Sequence, residues 1–188
     1  MIKIGILSEN ESPVIESLSF ALCGLGAGHI LSSHGKLSSF GVRYDFFIFS
    51  TCDIIDVNAV QPDIVMVSPD YVFNTDNRLF ISDVTFILQN NESASVISEC
   101  KNSDIIICGT SENSTVAVSS LDDNKTILSL QSPIKAITQR GHSLVRDVVI
   151  APCEFQINQP TCDGYSMPAL GALLLICGFS PESIVSAW

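Results

Sequence analysis

A chain of 188 residues, 46% hydrophobic and only 15% charged, is long enough to bury the core of one domain and too apolar for a disordered segment. With 9 basic against 20 acidic side chains, net −11, it repels polyphosphate backbones and anionic lipid, so nucleic acid and membrane surfaces are excluded as first expectations. The acids are scattered, which fits solubility better than attraction of a basic partner.

The opening Ile2–Leu7 is a short apolar run that looks like a first strand, with no separate apolar stretch and cleavage site of a secretory signal. A cytoplasmic location is the expectation. After the polar Ser8-Glu9-Asn10-Glu11, Ser12 and Pro13 supply an N-cap and an N1 proline, and Val14, Ile15, Leu18, Ala21, Leu22 and Leu25 follow at helical spacing. Gly24, Gly26 and Gly28 close that helix.

A polar stretch, Ser32 to Ser39, leads to the apolar runs Phe46–Phe49 and Ile64–Val67, the latter closed by Ser68-Pro69-Asp70. Further runs at Val84–Leu88, Ile105–Cys108 and Thr126–Leu130 follow, with a short helix expected from about Ser93 to Cys100. Continuous apolar runs bounded by turn residues suit strands buried on both faces. Residues 112–123 are open between a crossover helix and a hairpin with Thr126–Leu130. Asp147–Ala151 gives one more strand, and two helices broken at Gly178 close the chain, the second begun by Ser180-Pro181-Glu182.

Strands alternating with helices predict βαβ crossovers, hence a single-domain α/β fold: a three-layer Rossmann-like (flavodoxin/receiver-like) sandwich with a mainly parallel sheet. The longest purely apolar stretch, Ala172–Cys177, is far short of the roughly 20 residues that span a bilayer.

In such a sheet ligands bind outside the carboxyl ends of the strands, where strand order reverses. The loops that matter are therefore Ser8–Ser12, Ser50–Asp53, Ser68–Tyr71, Gln89–Glu92, Gly109–Ser114 and Gln131–Lys135. The first lacks the glycines of a dinucleotide loop and the Gly-Lys-Ser/Thr of a P-loop, and Glu9 and Glu11 repel phosphate. Small hydroxyl residues around Gly109, Thr110 and Ser111 favour a backbone nest for an anion or carboxylate, against the plainer reading of a cap and turn. Ser8, Asn10, Ser68 and Asp70 complete the candidate ligand-binding set.

The 7 cysteines include no CxxC pair and read mostly as small buried hydrophobes; Cys108 is a core residue before it is a nucleophile. His29, His34 and His142 lack metal-binding spacing, and His29 reads as the end of the first helix. Arg140-Gly141-His142 is a basic turn with the makings of an anion contact. No Ser-His-Asp or Cys-His set and no GxSxG is present. The sequons at Asn10, Asn91, Asn113 and Asn124 have meaning only in a secreted protein.

Two families share short segments with this chain. Ile4–Glu11, Pro62–Val67 and Leu130-Gln131-Ser132-Pro133 resemble the strand ends of response-regulator receivers, but Ser68 and Ser132 stand where the resemblance requires the phosphoacceptor aspartate and the lysine, so aspartyl phosphorylation does not follow. Pro168–Leu173 with Gly178, Glu182, Ser183 and Ile184, together with Pro62–Val67, is similar to the gamma subunits of 2-oxoacid:ferredoxin oxidoreductases, whose glycine-rich first loop is here Ser8–Ser12.

The leading expectation is a non-catalytic module that binds a small molecule or a protein partner, with oligomerisation left open. The alternative is a divergent Rossmann-type enzyme or enzyme subunit, such as one like those gamma subunits. A third is an interaction scaffold with an apolar patch around Ile184, Val185 and Trp188.

Overall fold

The computed structural model describes all residues except 11–12, 34, 74–77, 90–99, 123–124, 141–142 and 159–165. The elements run β1 (Ile2–Leu7), α1 (Pro13–Gly24), β2 (His29–Ser33), β3 (Lys36–Phe40), β4 (Phe46–Thr51), α2 (Ile54–Val60), β5 (Ile64–Val67), β6 (Thr85–Leu88) and β7 (Asp104–Gly109). Then come β8 (Val116–Asp122), β9 (Lys125–Leu130), β10 (Ile134–Arg140), β11 (Ser143–Ile150), β12 (Cys153–Asn158), α3 (Met167–Ile176) and α4 (Pro181–Ser186).

Ten strands form one sheet in the order β12-β9-β8-β7-β6-β5-β1-β4-β2-β3, and β10-β11 is a separate antiparallel pair. From β2 to β8 every pairing is parallel; β3, β9 and β12 join antiparallel. The expected α/β fold with a mostly parallel sheet is thus present.

Side chains alternate across this sheet because successive Cβ atoms point to opposite faces. Ile4, Ile6, Ile48, Ile64, Met66 and Ile87 face α1, α3 and α4 in one core. Leu7, Phe49, Val65, Val67, Phe86 and Leu88 pack with Ile54 and Val57 of α2 and with Tyr71 in a second. Strands that feed two cores have no polar face to spare, which is why their sequences read as unbroken apolar runs.

Helix α3 is buried along its whole length, and Gly171 lets it lie close to the sheet: a Cβ there would sit 2.5 Å from Leu128 Cδ1. Gly178, at φ 87°, turns the chain out of α3, and the Ser180 hydroxyl caps α4 by accepting from the Ser183 N–H at 3.3 Å, as the sequence predicts.

Several expectations are corrected. The polar stretch 32–39 is largely strand: β2 and β3 form a hairpin beside β4. A helix stands between β4 and β5, begun by Asp53, whose carboxylate accepts the Ile55 N–H at 2.8 Å. The alternative left open for residues 112–123 resolves to a hairpin: β8 (Val116–Asp122) pairs antiparallel with β9 (Lys125–Leu130). His29 does not end α1: it opens β2, fully buried, with its Nε2 2.8 Å from Ser19 Oγ and its Nδ1 3.3 Å from the Ala27 carbonyl. A carbonyl can only accept, so Nδ1 carries the proton and Nε2 accepts from the serine. Ile184 is fully buried, and Val185 and Trp188 are partly buried against the core, Trp188 tilted at 5.5 Å on Phe20, which is itself 53% exposed. The expected Ser12 cap, most of the Ser93–Cys100 helix, His34, His142 and Cys162 lie outside the described residues.

Candidate functional site

Strand order reverses at β1: the chain passes from β1 out to β2 and β3, returns to β4 on one side of β1, and continues through β5, β6 and β7 on the other. The carboxyl ends of β4, β1 and β5 therefore open into the crevice where parallel sheets bind ligands. Backbone hydrogen bonds stitch it together: Ser8 N–H to Thr51 O at 3.2 Å, Ser68 N–H to Leu7 O at 2.9 Å, and Tyr71 N–H to Ser68 O at 3.1 Å.

Four of the seven expected site residues meet here. The Asp70 carboxylate accepts from Ser8 Oγ at 3.1 and 3.3 Å, from the Asn10 N–H at 3.1 Å and from Asn10 Nδ2 at 3.0 Å. Burial by itself would raise this carboxyl, but the bonds from Asn10 and Ser8 outweigh it and hold the group below the usual aspartate value. Ser68, two residues before Asp70, is buried. The first loop is thereby tied to the β5 loop through a charge whose acceptor sites are largely taken.

The rest of the crevice is acidic and aromatic. Tyr71 is buried, edge-on to Phe73 at 5.1 Å, and its phenol is pushed up to about 12 by burial and by the charges of Glu9, Asp53 and Cys52. Asp53 caps α2, and Thr51 Oγ1 donates to Asp56 at 2.6 Å. Among the described residues no group of three His, Cys, Asp or Glu stands close enough to hold a metal ion.

The remaining three expected residues, Gly109, Thr110 and Ser111, lie at the end of β7, two strands from β5 and so roughly 10 Å away. Their loop closes on itself: the Ser114 N–H donates to Ser111 O at 3.0 Å, the two serine hydroxyls are 3.1 Å apart, and Thr115 N–H donates to Ile107 O at 2.7 Å. With its amide nitrogen turned inward, Gln131 donates to Ser114 O at 3.0 Å and to Glu112 O at 2.8 Å. Cys108 is buried and burial pushes its thiol up, so it is a core residue and no nucleophile.

Between the two groups stands the expected Gln89–Glu92 loop, of which only Gln89 is described. At the end of β6, Gln89 buries both its amide oxygen and its amide nitrogen without a hydrogen-bond partner among the described residues. Buried amide atoms rarely go unpaired, and those that do are often reserved for something else. Another expected strand-end loop is misplaced: Ser132–Lys135 runs to the opposite edge, where Lys135 Nζ lies 3.5 Å from Asp104 at the start of β7. Arg140 is engaged across the β10–β11 pair by Asp147 at 2.6 Å, which leaves the basic turn less free for an anion than the sequence suggests.

No family model matches the sequence, and neither does any curated protein. Solved structures do match the fold. E. coli FolC in complex with DHPP and ADP is similar at TM-score 0.64 and 13% identity, over 99% of this chain and 56% of that one. A Yersinia pestis bifunctional folylpolyglutamate synthase/dihydrofolate synthase complexed with AMPPNP and Mn gives 0.63 and 9%, over 99% and 56%. A UDP-N-acetylmuramoyl-L-alanyl-D-glutamate–2,6-diaminopimelate ligase gives 0.62 and 9%, over 98% and 45%. The chain thus spans about half the length of these ligases. No helix among the described residues is long and apolar enough to cross a membrane.

Proposed function

We propose that this chain is a ligase-fold module that binds a polar, non-anionic small molecule or partner segment at the carboxyl ends of β1, β5 and β6 without turning over ATP. The fold is similar to about half of FolC bound to ADP and of a diaminopimelate ligase, which supports the ligase-fold part of the reading, and the observation that carries the rest is the first loop. Phosphate recognition after the first strand depends on glycines that let backbone N–H groups converge, helped by a lysine. Here that position holds Ser8-Glu9-Asn10, and the Ser8 hydroxyl and the Asn10 N–H are spent on Asp70.

Electrostatics point the same way. Glu9 and Asp53 act on Tyr71 as negative charges, and Asp70 is held ionised among them. A triphosphate entering this crevice meets like charge at close range, which opposes binding. A ligand with hydrogen-bond donors, or with an amide that pairs with Gln89, meets acceptors and an unspent amide.

The test is a titration with Mg-ATP followed by the backbone amide resonances of Ser8, Asp70, Gln89 and Gly109. No saturable shift up to several millimolar is expected. Saturable shifts at these four amides would overturn the proposal and make the chain a nucleotide-handling enzyme domain.

A further inference from the structure

At the opposite edge of the sheet, a cleft of about 380 Å³ opens beneath the amino ends of β1 and β4. Its walls come from three places far apart in sequence: the turn after α1 (Leu25, Gly26, Ala27), the middle of β10 (Ile137, Thr138) and the turn after α3 (Cys177, Gly178, Phe179). A volume of this size suits a small organic ligand.

Three features give the cleft one electrostatic sign. Both helices end at it: the N–H groups of Leu25, Gly26 and Ala27 cap carbonyls of α1, those of Cys177, Gly178 and Phe179 cap carbonyls of α3, and all six residues line the cleft. The C-terminal end of a helix is the negative pole of its dipole. Asp45 adds a carboxylate at the rim, and Phe46, whose ring lies 6.0 Å from that of Phe179, adds an aromatic wall of the kind that attracts cations. Among the described residues the cation at this carboxylate is Arg43, 3.4 Å away with its side chain 82% exposed, a contact weak enough for a ligand to displace.

Thr138 turns its methyl toward Gly178, so this wall of the cleft is apolar beside the aromatic rings. The lining offers one carboxylate and one thiol, Cys177, which is buried and pushed up by burial, a poor donor set for a metal ion, whereas an ammonium pairs readily with a single carboxylate.

We infer that this amino-edge cleft binds an organic cation: a primary ammonium on an apolar body, its charge toward Asp45 and the two helix ends and its body against Phe46, Phe179 and Ile137. The site is separate from the strand-end crevice, so either can fail without the other.

The probe is phenethylamine, with 2-phenylethanol as its neutral counterpart and 3-phenylpropionate as the anionic one, followed by backbone amide shifts in the intact chain. The amine should saturate at about 10 mM or below, moving Gly26, Ala27, Asp45, Thr138 and Gly178 and leaving Ser8 and Asp70 still. Asp45→Asn should weaken it about tenfold, the loss of one charged contact. Equal binding of 2-phenylethanol, undiminished affinity in Asp45→Asn, or no saturable shift at these residues would overturn the inference.

Discussion

The lock on Asp70 makes a quantitative prediction. Replacing Asp70 by Asn keeps one carbonyl acceptor and removes the charge that Ser8 Oγ, Asn10 N–H and Asn10 Nδ2 all approach within 3.3 Å. Hydrogen bonds to a buried charge contribute about 1.5–3 kcal/mol each. Asp70 is exposed, however, and water competes for its oxygens, so the value for exposed charged pairs, roughly 1 kcal/mol in all, applies at neutral pH. The direction of the pKa shift fixes how this varies. Because the folded carboxyl is held below its unfolded value of about 3.9, its contribution is complete above about pH 5 and is lost as pH falls through the folded value. Urea unfolding of both proteins, followed by circular dichroism at pH 7, 5, 4 and 3, should show the wild type ahead by about 1 kcal/mol at pH 7 and 5, the gap closing toward pH 3. The other carboxylates titrate in both proteins and cancel. A gap that stays constant across this range, or that is already zero at pH 7, would refute the claim that the charge ties the two loops together.

Other outcomes follow from single features. Cys23 and Cys52 are exposed, whereas Cys108 and Cys177 are buried with thiols pushed up by burial, so a maleimide should label the first two in the native protein and reach the latter only in denaturant, as peptide mapping would show. Tyr71 stays neutral in the folded protein up to about 12, so stability present below pH 10 should be lost as pH rises from about 10 to 12, and Tyr71→Phe should blunt that loss in alkaline unfolding curves. A Cβ at Gly28 would collide with the backbone carbonyl of Arg43, and backbone gives way less readily than a side-chain end. Gly28→Ala should cost at least about 2 kcal/mol in a urea titration.

How much of this was legible in the sequence depends on how each element is stabilised. Ile2–Leu7, Ile64–Val67 and the run within Asp104–Gly109 are written in their own residues, because strands packed between two cores must be apolar at nearly every position. The edge strand β3 faces water at all five of its positions, so no apolar pattern marks it; its strand character comes from backbone pairing with β2. Helix α2 did leave a signal, an Asp53 cap before apolar Ile54 and Val57 three residues apart, but its seven residues are too few for periodicity to declare itself. The β7–β8 connection defies the usual rule that parallel neighbours need a crossover of a dozen residues or more: Cys108 and Val116 pair in parallel across a short closed loop. The same physics explains why Pro62–Val67 resembles segments of two families at once, since a fully buried parallel strand is under similar constraint in any such sheet.

The candidate site shows a similar division. The rule that parallel sheets bind at their carboxyl ends grouped the loops of Ser8, Asn10, Ser68 and Asp70, which do meet in space though Ser8 and Asp70 are 62 residues apart. It could not show that the aspartate would be consumed by its neighbours, because that depends on where the β5 turn aims one side chain. It did include Gln89, in the Gln89–Glu92 loop, but not what sets that residue apart, an absence of partners among the described residues that is visible only in three dimensions. What separates this crevice from a phosphate site is therefore a combination. The missing glycines and lysine are read in sequence, while the closing of Ser8 and Asn10 onto Asp70 is read in space. Restoring glycines to the loop would leave Ser8 and Asn10 donating to Asp70, and removing Asp70 would leave Glu9 facing the crevice. Phosphate affinity would require changing the loop and its acidic surroundings together, which makes the proposed preference for non-anionic ligands a property of the whole strand-end face rather than of one residue.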